Sequence, residues 1–195
     1  MPLLVTNHPD SESVFGKIRL KHKLSGSTMP VSYYNQNAQS FYDGTLSVDM
    51  SSLFLCFEPY LSVRGRVLDA GCGSGRDSRY FLDQGFDVFA FDASAELASL
   101  LIYRPVSVCQ FDKYSLETTF DGIWACASLL HVPKDKLSQV FCHLSSLLKR
   151  DGLFYCSFKY GADEVERDGR VFSSFTETGL EKISARLSLR IREIW

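Results

Sequence analysis

Residues 67–77 read Val67-Leu68-Asp69-Ala70-Gly71-Cys72-Gly73-Ser74-Gly75-Arg76-Asp77, a short apolar run followed by a turn with glycine at every second position. Between a strand and a helix, such a turn lets backbone approach a ligand with no Cβ in the way. It suits a dinucleotide, a nucleoside triphosphate or an adenosylated sulfonium, and the neighbours of the glycines separate these. A dinucleotide loop is spaced G-x-G-x-x-G, with helix amides aimed at a pyrophosphate. Here the spacing is G-x-G-x-G, and Asp69 stands two residues before the first glycine. A carboxylate so close to the turn repels a pyrophosphate and suits a cationic amino-acid or sulfonium portion. Asp92, 21 residues after Gly71, ends the next apolar run, where it can accept both ribose hydroxyls. NAD proteins share that acid, so it does not discriminate. A merely structural glycine turn is disfavoured, because strand, loop, helix and acid occur in the required order.

Outward from the loop, apolar runs alternate with amphipathic ones. RVLDA (66–70) reads as a strand, Asp77 to Gln84 as a helix closed by Gly85, DVFAFD (87–92) as a strand, and Ala95 to Leu101 as a helix capped by Ser94. PVSVCQ (105–110) and DGIWACA (121–127) read as strands and Lys134 to Lys149 as a helix stopped by Gly152. LFYCSF (153–158), a helix over Thr176 to Leu187 and the strand SLRIREIW (188–195) complete the series. Two helices precede the first strand: SYYNQNAQSFYDGT (32–45) carries Tyr33, Phe41 and Tyr42, and Met50 to Leu61 places Leu53, Phe54, Phe57 and Leu61 on one face. The alternation predicts an α/β, Rossmann-like doubly wound fold, a mostly parallel sheet with helices on both faces.

Residues 1–28 show no long period and end in Ser25-Gly26-Ser27-Thr28, a flexible spacer by composition, before Met29-Pro30 repeats the opening Met1-Pro2. Two readings stand: an N-terminal extension ahead of a domain spanning 29–195, which is favoured, or an ordered arm whose KIRLKHKL (17–24) pairs as a strand. With 195 residues, 45% of them apolar and 23% charged, the chain is expected to fold as one domain. A net charge of -2 without a long basic run argues against an electrostatic grip on nucleic acid or on an anionic membrane. No apolar stretch approaches the roughly 18 residues of a membrane span. The N-terminus lacks the layout of a secretory signal, so a cytoplasmic protein is expected. Six single cysteines, four of them (Cys56, Cys109, Cys126 and Cys156) inside apolar runs, read as buried reduced thiols. No C-x-x-C spacing occurs, the four histidines complete no ligand set, and no metal site is expected.

VLDAGCGSGRD (67–77), together with FDAS (91–94), FDGIWACASLLHVP (120–133) and LLKRDGLFYCSFKYG (147–161), resembles the class I S-adenosylmethionine-dependent methyltransferases. Within that class, GCGSGRDSRYF (71–81) and ACASLLHVP (125–133) are similar to small bacterial enzymes akin to the tellurite-resistance methyltransferase. The resemblance runs from Ser32 to Trp195 and implies a seven-stranded sheet with one antiparallel strand near its C-terminal end. It assigns cofactor contacts by position. Asp69, Ala70, Gly71, Cys72 and Gly73 meet the amino-acid portion. Asp92 takes the ribose, Ala93 leaves room for the adenine, Phe111 and Asp112 read the adenine, and Cys126 and Ala127 border the cofactor. Arg76 is either a carboxylate counter-ion or a partner of Asp77 or Asp92. Tyr33, with Tyr34 and Tyr42, lies on a helix resembling the lid of the class, where aromatic rings would cover a sulfonium. The family pattern continues into a seventh strand that slots between the fifth and sixth, whereas this chain stops at Trp195. Two accounts remain, a missing strand or a substitute from the N-terminal segment, and the missing strand is favoured. It would leave the edges at Leu153–Phe158 and Leu189–Trp195 open and give a monomer or weak self-association.

Methyl transfer from a sulfonium is an in-line displacement that positioning and water exclusion accelerate, so a general base is optional and no catalytic residue is assigned. His131 in SLLHV could face the acceptor, although a capping or core role is the favoured reading. Ala127-Ser128-Leu129-Leu130 is not the N/D-P-P-Y/F run of enzymes that methylate base amines, and there is no Pro-Cys nucleophile. The expected reaction is therefore S-adenosylmethionine-dependent methylation of a small molecule. The alternatives are a truncated cofactor-binding domain without turnover, or an NAD-dependent oxidoreductase.

Overall fold

The structure, a computed structural model, describes residues 1–7, 31–102, 105–187 and 189–195. A seven-stranded sheet is built from β1 (Pro2–Asn7), β2 (Arg66–Ala70), β3 (Asp87–Asp92), β4 (Ser107–Val108), β5 (Phe120–Ala125), β6 (Leu148–Ser157) and β10 (Leu189–Ile194). The strand order is β10-β1-β6-β5-β2-β3-β4. The pairs β2–β3, β2–β5, β3–β4 and β5–β6 are parallel, and β1 runs antiparallel to both β6 and β10.

Period-two burial divides the core between the two faces of the sheet. Leu3, Val5, Leu68, Ile123, Phe154 and Cys156 pack on one face, with Leu137, Phe141 and Leu144 of α6 (Lys134–Ser145) and Leu180 of α7 (Glu177–Arg186). Leu4, Val67, Val88, Trp124, Leu153 and Tyr155 pack on the other, with Phe54 and Phe57 of α3 (Ser51–Phe57) and Phe81 of α4 (Arg76–Asp83). Trp124 and Tyr155 stack with ring centroids 3.9 Å apart. Two short helices, α1 (Val31–Gln36) and α2 (Ala38–Thr45), lie against α5 (Ala95–Leu100), which Ser94 caps by accepting from the Leu97 N–H at 3.1 Å.

The doubly wound, mostly parallel sheet agrees with the sequence reading; the missing strand does not. Residues 2–7, read as part of an extension outside the domain, are β1. This strand sits where the family pattern puts its seventh, pairing Leu4 with Tyr155 on one side and with Glu193 on the other. Leu3, Leu4 and Val5 are almost fully buried, which is why the stretch holds as an inner strand. The expected open edges at Leu153–Phe158 and Leu189–Trp195 are thus corrected: both flank β1. KIRLKHKL and the Ser/Gly spacer lie outside the described residues.

Smaller corrections concern boundaries. The helix read over Lys134 to Lys149 ends at Ser145, and β6 starts at Leu148; its register with β5 shifts between Phe120 and Gly122, and Asp151 takes a left-handed φ of 61°. PVSVCQ pairs only at Ser107–Val108. Among the described residues three α-helices, not two, precede β2. Of the cysteines, Cys72 and Cys156 are buried and the other four half-buried, so apolar neighbours in sequence misjudge Cys56, Cys109 and Cys126.

A small second sheet was not anticipated. β7 (Lys159–Tyr160), β8 (Glu164–Arg167) and β9 (Arg170–Phe175) pair in the order β7-β9-β8. Asp168 (φ 53°) and Gly169 (φ 69°) turn β8 into β9 as the two left-handed residues of a tight hairpin.

Candidate active site

The glycine turn leaves the carboxyl end of β2 and is fixed by backbone bonds. The N–H groups of Gly71 and Cys72 donate to the Phe91 carbonyl at 2.9 and 3.0 Å. Asp92, at the end of β3, completes the hold: Oδ2 accepts from the Gly73 N–H at 2.9 Å and Oδ1 from the Ser94 N–H at 2.8 Å. The Ala93 N–H also bonds this carboxylate, which leaves lone-pair capacity for a ligand hydroxyl. Burial pushes the Asp92 carboxyl above the usual carboxylate range, with these backbone bonds opposing. Gly71, Gly73 and Gly75 all have left-handed φ values of 77°, 55° and 71°. A Cβ at Gly71 would lie 2.7 Å from the Ser128 Cβ, and one at Gly73 would lie 3.1 Å from the Phe41 ring.

These strand ends floor a cavity of about 370 Å³, within the range of small-molecule sites. Its roof comes from elsewhere in the chain: Val31 and Tyr34 of α1, Phe41 and Thr45 of α2, and Lys159 and Phe172 of the small sheet. The helices are tied down by side chains. Thr45 Oγ1 lies 2.9 Å from Ser74 Oγ, and the Ser94 hydroxyl is 2.7 Å from Asn35 Oδ1. His131 joins all the parts. Its Nδ1 faces the Val171 carbonyl at 2.8 Å and its Nε2 lies 2.7 Å from the Tyr34 hydroxyl. A carbonyl only accepts, so Nδ1 carries the proton and Nε2 accepts from Tyr34. Burial holds the imidazole below its ordinary pKa, in keeping with that neutral tautomer.

Of the residues singled out from the sequence, the structure brings Gly71, Cys72, Gly73, Arg76, Asp92, Ala93, Phe111, Cys126 and Ala127 to the cavity wall. Four others lie off it. Tyr33 turns away and stacks on the Arg170 guanidinium at 3.7 Å; its neighbour Tyr34 takes the wall. Asp69 is buried behind the loop, accepting from the Ser78 hydroxyl at 2.6 Å. Burial, with Asp77 nearby, raises its carboxyl to about 8. Ala70 points into the core. Asp112 pairs with Lys113 at 3.1 Å. Arg76 makes its bond to Asp77, Nε to Oδ1 at 2.6 Å, while the Trp124 indole donates to Asp77 Oδ2 at 2.8 Å. Ala127 has a left-handed φ of 49° at the cavity rim, anchored by its N–H donating to Ser157 Oγ at 2.8 Å. Such local strain collects at functional sites.

Lys159 and Phe172 went unread in the sequence. The signal was there: Asp168-Gly169 between two alternating runs marks a hairpin, although nothing local says that it folds over the strand ends. Among the described residues no group of His, Cys, Asp and Glu side chains is arranged to hold a metal ion, and no helix is long and apolar enough to cross a membrane.

Comparison with known proteins points the same way as this geometry. A family described as a methyltransferase domain matches residues 42–186. The Bacillus subtilis protein named "putative methyltransferase YqeM" is 27% identical over 140 residues, 60% of this chain and 57% of its own length. The chain therefore spans little more than half of that relative. Among solved structures, Burkholderia thailandensis 1,6-didemethyltoxoflavin-N1-methyltransferase, crystallised with 1,6-didemethyltoxoflavin and S-adenosylhomocysteine, superposes with a TM-score of 0.64 at 26% identity, covering 86% of this chain and 81% of that one. An S-adenosylmethionine-dependent methyltransferase from Clostridium acetobutylicum shares the fold, with a TM-score of 0.63 at 21% identity over 83% of this chain and 89% of that one.

Proposed function

The chain belongs to the methyltransferase-domain family, the class I S-adenosylmethionine-dependent methyltransferases, and from that premise we propose that it methylates a small molecule in the roofed cavity. The observation that carries the reading is the cradle itself. Gly71 and Gly73 present bare backbone to the cavity where a Cβ would collide with Ser128 or crowd Phe41, and Asp92 stands beside them with acceptor capacity to spare. That combination fits an adenosyl cofactor. Gly71, Cys72 and Gly73 would hold its amino-acid portion, Asp92 its ribose, and Ala93 and Phe111 its adenine, with Cys126 and Ala127 along its edge. Asp69 acts from behind the loop, as a support for Ser78. When bound, S-adenosylmethionine supplies a methyl group already activated on a sulfonium.

The chain's own work is then binding, orientation and exclusion of water. Tyr34 and Phe41 close the cavity from above and Phe172 from the side. His131 holds the Tyr34 hydroxyl to the hairpin by its two ring nitrogens, and both are engaged within the protein. This supports the reading of His131 as a clasp on the roof. A small acceptor agrees with the enclosed volume and with the 1,6-didemethyltoxoflavin bound to the Burkholderia relative. The reading as a domain without turnover loses its premise of open sheet edges, since β1 fills the gap.

Calorimetry with S-adenosylmethionine, S-adenosylhomocysteine and NAD tests the proposal, alongside methyl release over a metabolite panel. The two sulfur compounds should bind and NAD should not. Asp92→Ala should weaken S-adenosylhomocysteine by about 1.5–3 kcal/mol, because a charged acceptor is lost from both ligand and loop. Equal affinity of wild type and variant would remove Asp92 from the site, and binding of NAD alone would overturn the reading.

A further inference from the structure

The two ends of the cavity differ in charge. The carboxylates on its wall, Asp92 and Asp77, both stand at the glycine loop, and Arg76 already engages Asp77. The opposite end carries cations. The Lys159 ammonium lies 4.2 Å from the centroid of the Phe172 ring, and both residues line the cavity. Behind them the Arg170 guanidinium lies 5.1 Å from the same ring, with its Nε buried and unpartnered. The carboxylate nearest in sequence, Asp168, meets Arg170 at 3.4 Å on the outer side and is itself shared with Arg167. Among the described residues no carboxylate pairs with Lys159, whose ammonium rests on the Phe172 ring face, a weak hold at an exposed site. His131 adds no charge, because its neutral tautomer is fixed from both sides.

A cationic, aromatic-walled end suits one class of ligand. Two positive groups with a single shared carboxylate attract an anion, and the Phe172 and Tyr34 rings on the cavity wall suit an apolar body beside it. A cationic acceptor would meet Lys159 and Arg170 with like charge. A neutral one would accept a hydrogen bond from Lys159 but gain less from it than an anion would. We propose that the methyl acceptor carries an anionic group, a carboxylate or a phosphonate, bound by Lys159 with Arg170 behind it. This rests on the methyl-transfer reading for the word acceptor, while the anion site stands on the geometry of Lys159, Phe172 and Arg170.

Four probes of one shape test the proposal: benzoate, phenylphosphonate, benzamide and benzylammonium, each titrated calorimetrically into the full chain, free and saturated with S-adenosylhomocysteine. At least one anion should bind about ten-fold tighter than benzamide, the ratio that one charge-assisted hydrogen bond supplies. Whichever anion binds tighter identifies the group. Benzylammonium should not bind. Lys159→Met should abolish the ratio and leave the affinity for S-adenosylhomocysteine unchanged. Binding of benzamide as tight as the anions, failure of both anions to bind, or a ratio that survives Lys159→Met would overturn the anion site. Failure of S-adenosylhomocysteine to bind would overturn the methyl-transfer reading instead, and the ratio measured on the free chain would still decide the anion site.

Discussion

The floor and the roof of the cavity are made differently. The floor is backbone held by one carboxylate: Gly71 is bonded to the Phe91 carbonyl and Gly73 to Asp92, within 22 residues of chain. The roof is side chains from three distant stretches, joined where Tyr34 meets His131 and His131 meets Val171. A floor of backbone tolerates no added atoms, whereas a roof of side chains can be loosened one hydrogen bond at a time. Substitutions in the floor should therefore act on cofactor binding and fold together, and those in the roof on the acceptor.

The sharpest break in that comparison is Gly71→Ala. The new Cβ would sit 2.7 Å from the Ser128 Cβ at a φ of 77°. Left-handed strain and overpacking each cost about 1–3 kcal/mol. The variant should lose several degrees in melting temperature and nearly all affinity for S-adenosylhomocysteine. Gly85→Ala is the control: its φ of 86° carries the same strain, but nothing lies within 4 Å of the added atom. It should cost stability alone. If calorimetry showed the two variants binding equally well, the loop would be no tighter than an ordinary turn.

This contrast also explains what the sequence disclosed. The glycines, Asp92, Ala93 and Phe111 were legible because short-range order fixes them: a strand, a turn and a helix put the same residues at the same strand ends. Tyr34 was legible only as one of three tyrosines, since which ring reaches the cavity depends on the rotation of α1, and Tyr33 turned instead toward Arg170. Lys159 and Phe172 were not legible, because their place depends on how the hairpin docks. β1 was missed for a related reason. Six residues that bury Leu3, Leu4 and Val5 look like any short apolar run until two antiparallel partners, 147 to 191 residues away by register, are known.

Asp69 sharpens the comparison from within the floor. Its carboxyl is raised to about 8 in the folded protein, above an ordinary carboxylate value, so the folded state holds a proton that the unfolded chain releases. Stability from this group is full below about pH 4 and is lost as the pH rises toward 8. Asp92, also raised by burial, contributes in the same direction. Asp69→Asn keeps a neutral side chain that still reaches Ser78 and removes the titration. Denaturant midpoints measured from pH 5 to pH 8.5 should fall for the wild type and fall less steeply for the variant. Parallel curves would mean that Asp69 is ionised throughout, and its role as a neutral support would have to be given up.

The smallest effect should come from the roof. Tyr34→Phe keeps the ring that closes the cavity and removes the hydroxyl that donates to His131 Nε2 at 2.7 Å. A hydrogen bond of this kind is worth about 0.5–1.5 kcal/mol, and water can replace it at a half-buried site. The glycine loop does not depend on it, so affinity for S-adenosylhomocysteine should stay within about two-fold, a few tenths of a kcal/mol. The clasp does depend on it: α1 would keep its bond from Ser94 to Asn35 and the stacking of Tyr33 on Arg170 but lose its hydrogen bond, through His131, to the hairpin. Amide exchange should therefore quicken in residues 31–36 and 170–175 and not in residues 67–73. For any acceptor found by methyl release, KM should rise several-fold with kcat less affected, since the loss falls on the enclosure rather than on the displacement. Were kcat to fall at constant KM, with exchange unchanged in both segments, the Tyr34 hydroxyl would be acting on the reacting groups, and the division of labour between floor and roof would have to be redrawn with Tyr34 and His131 as a proton-handling pair.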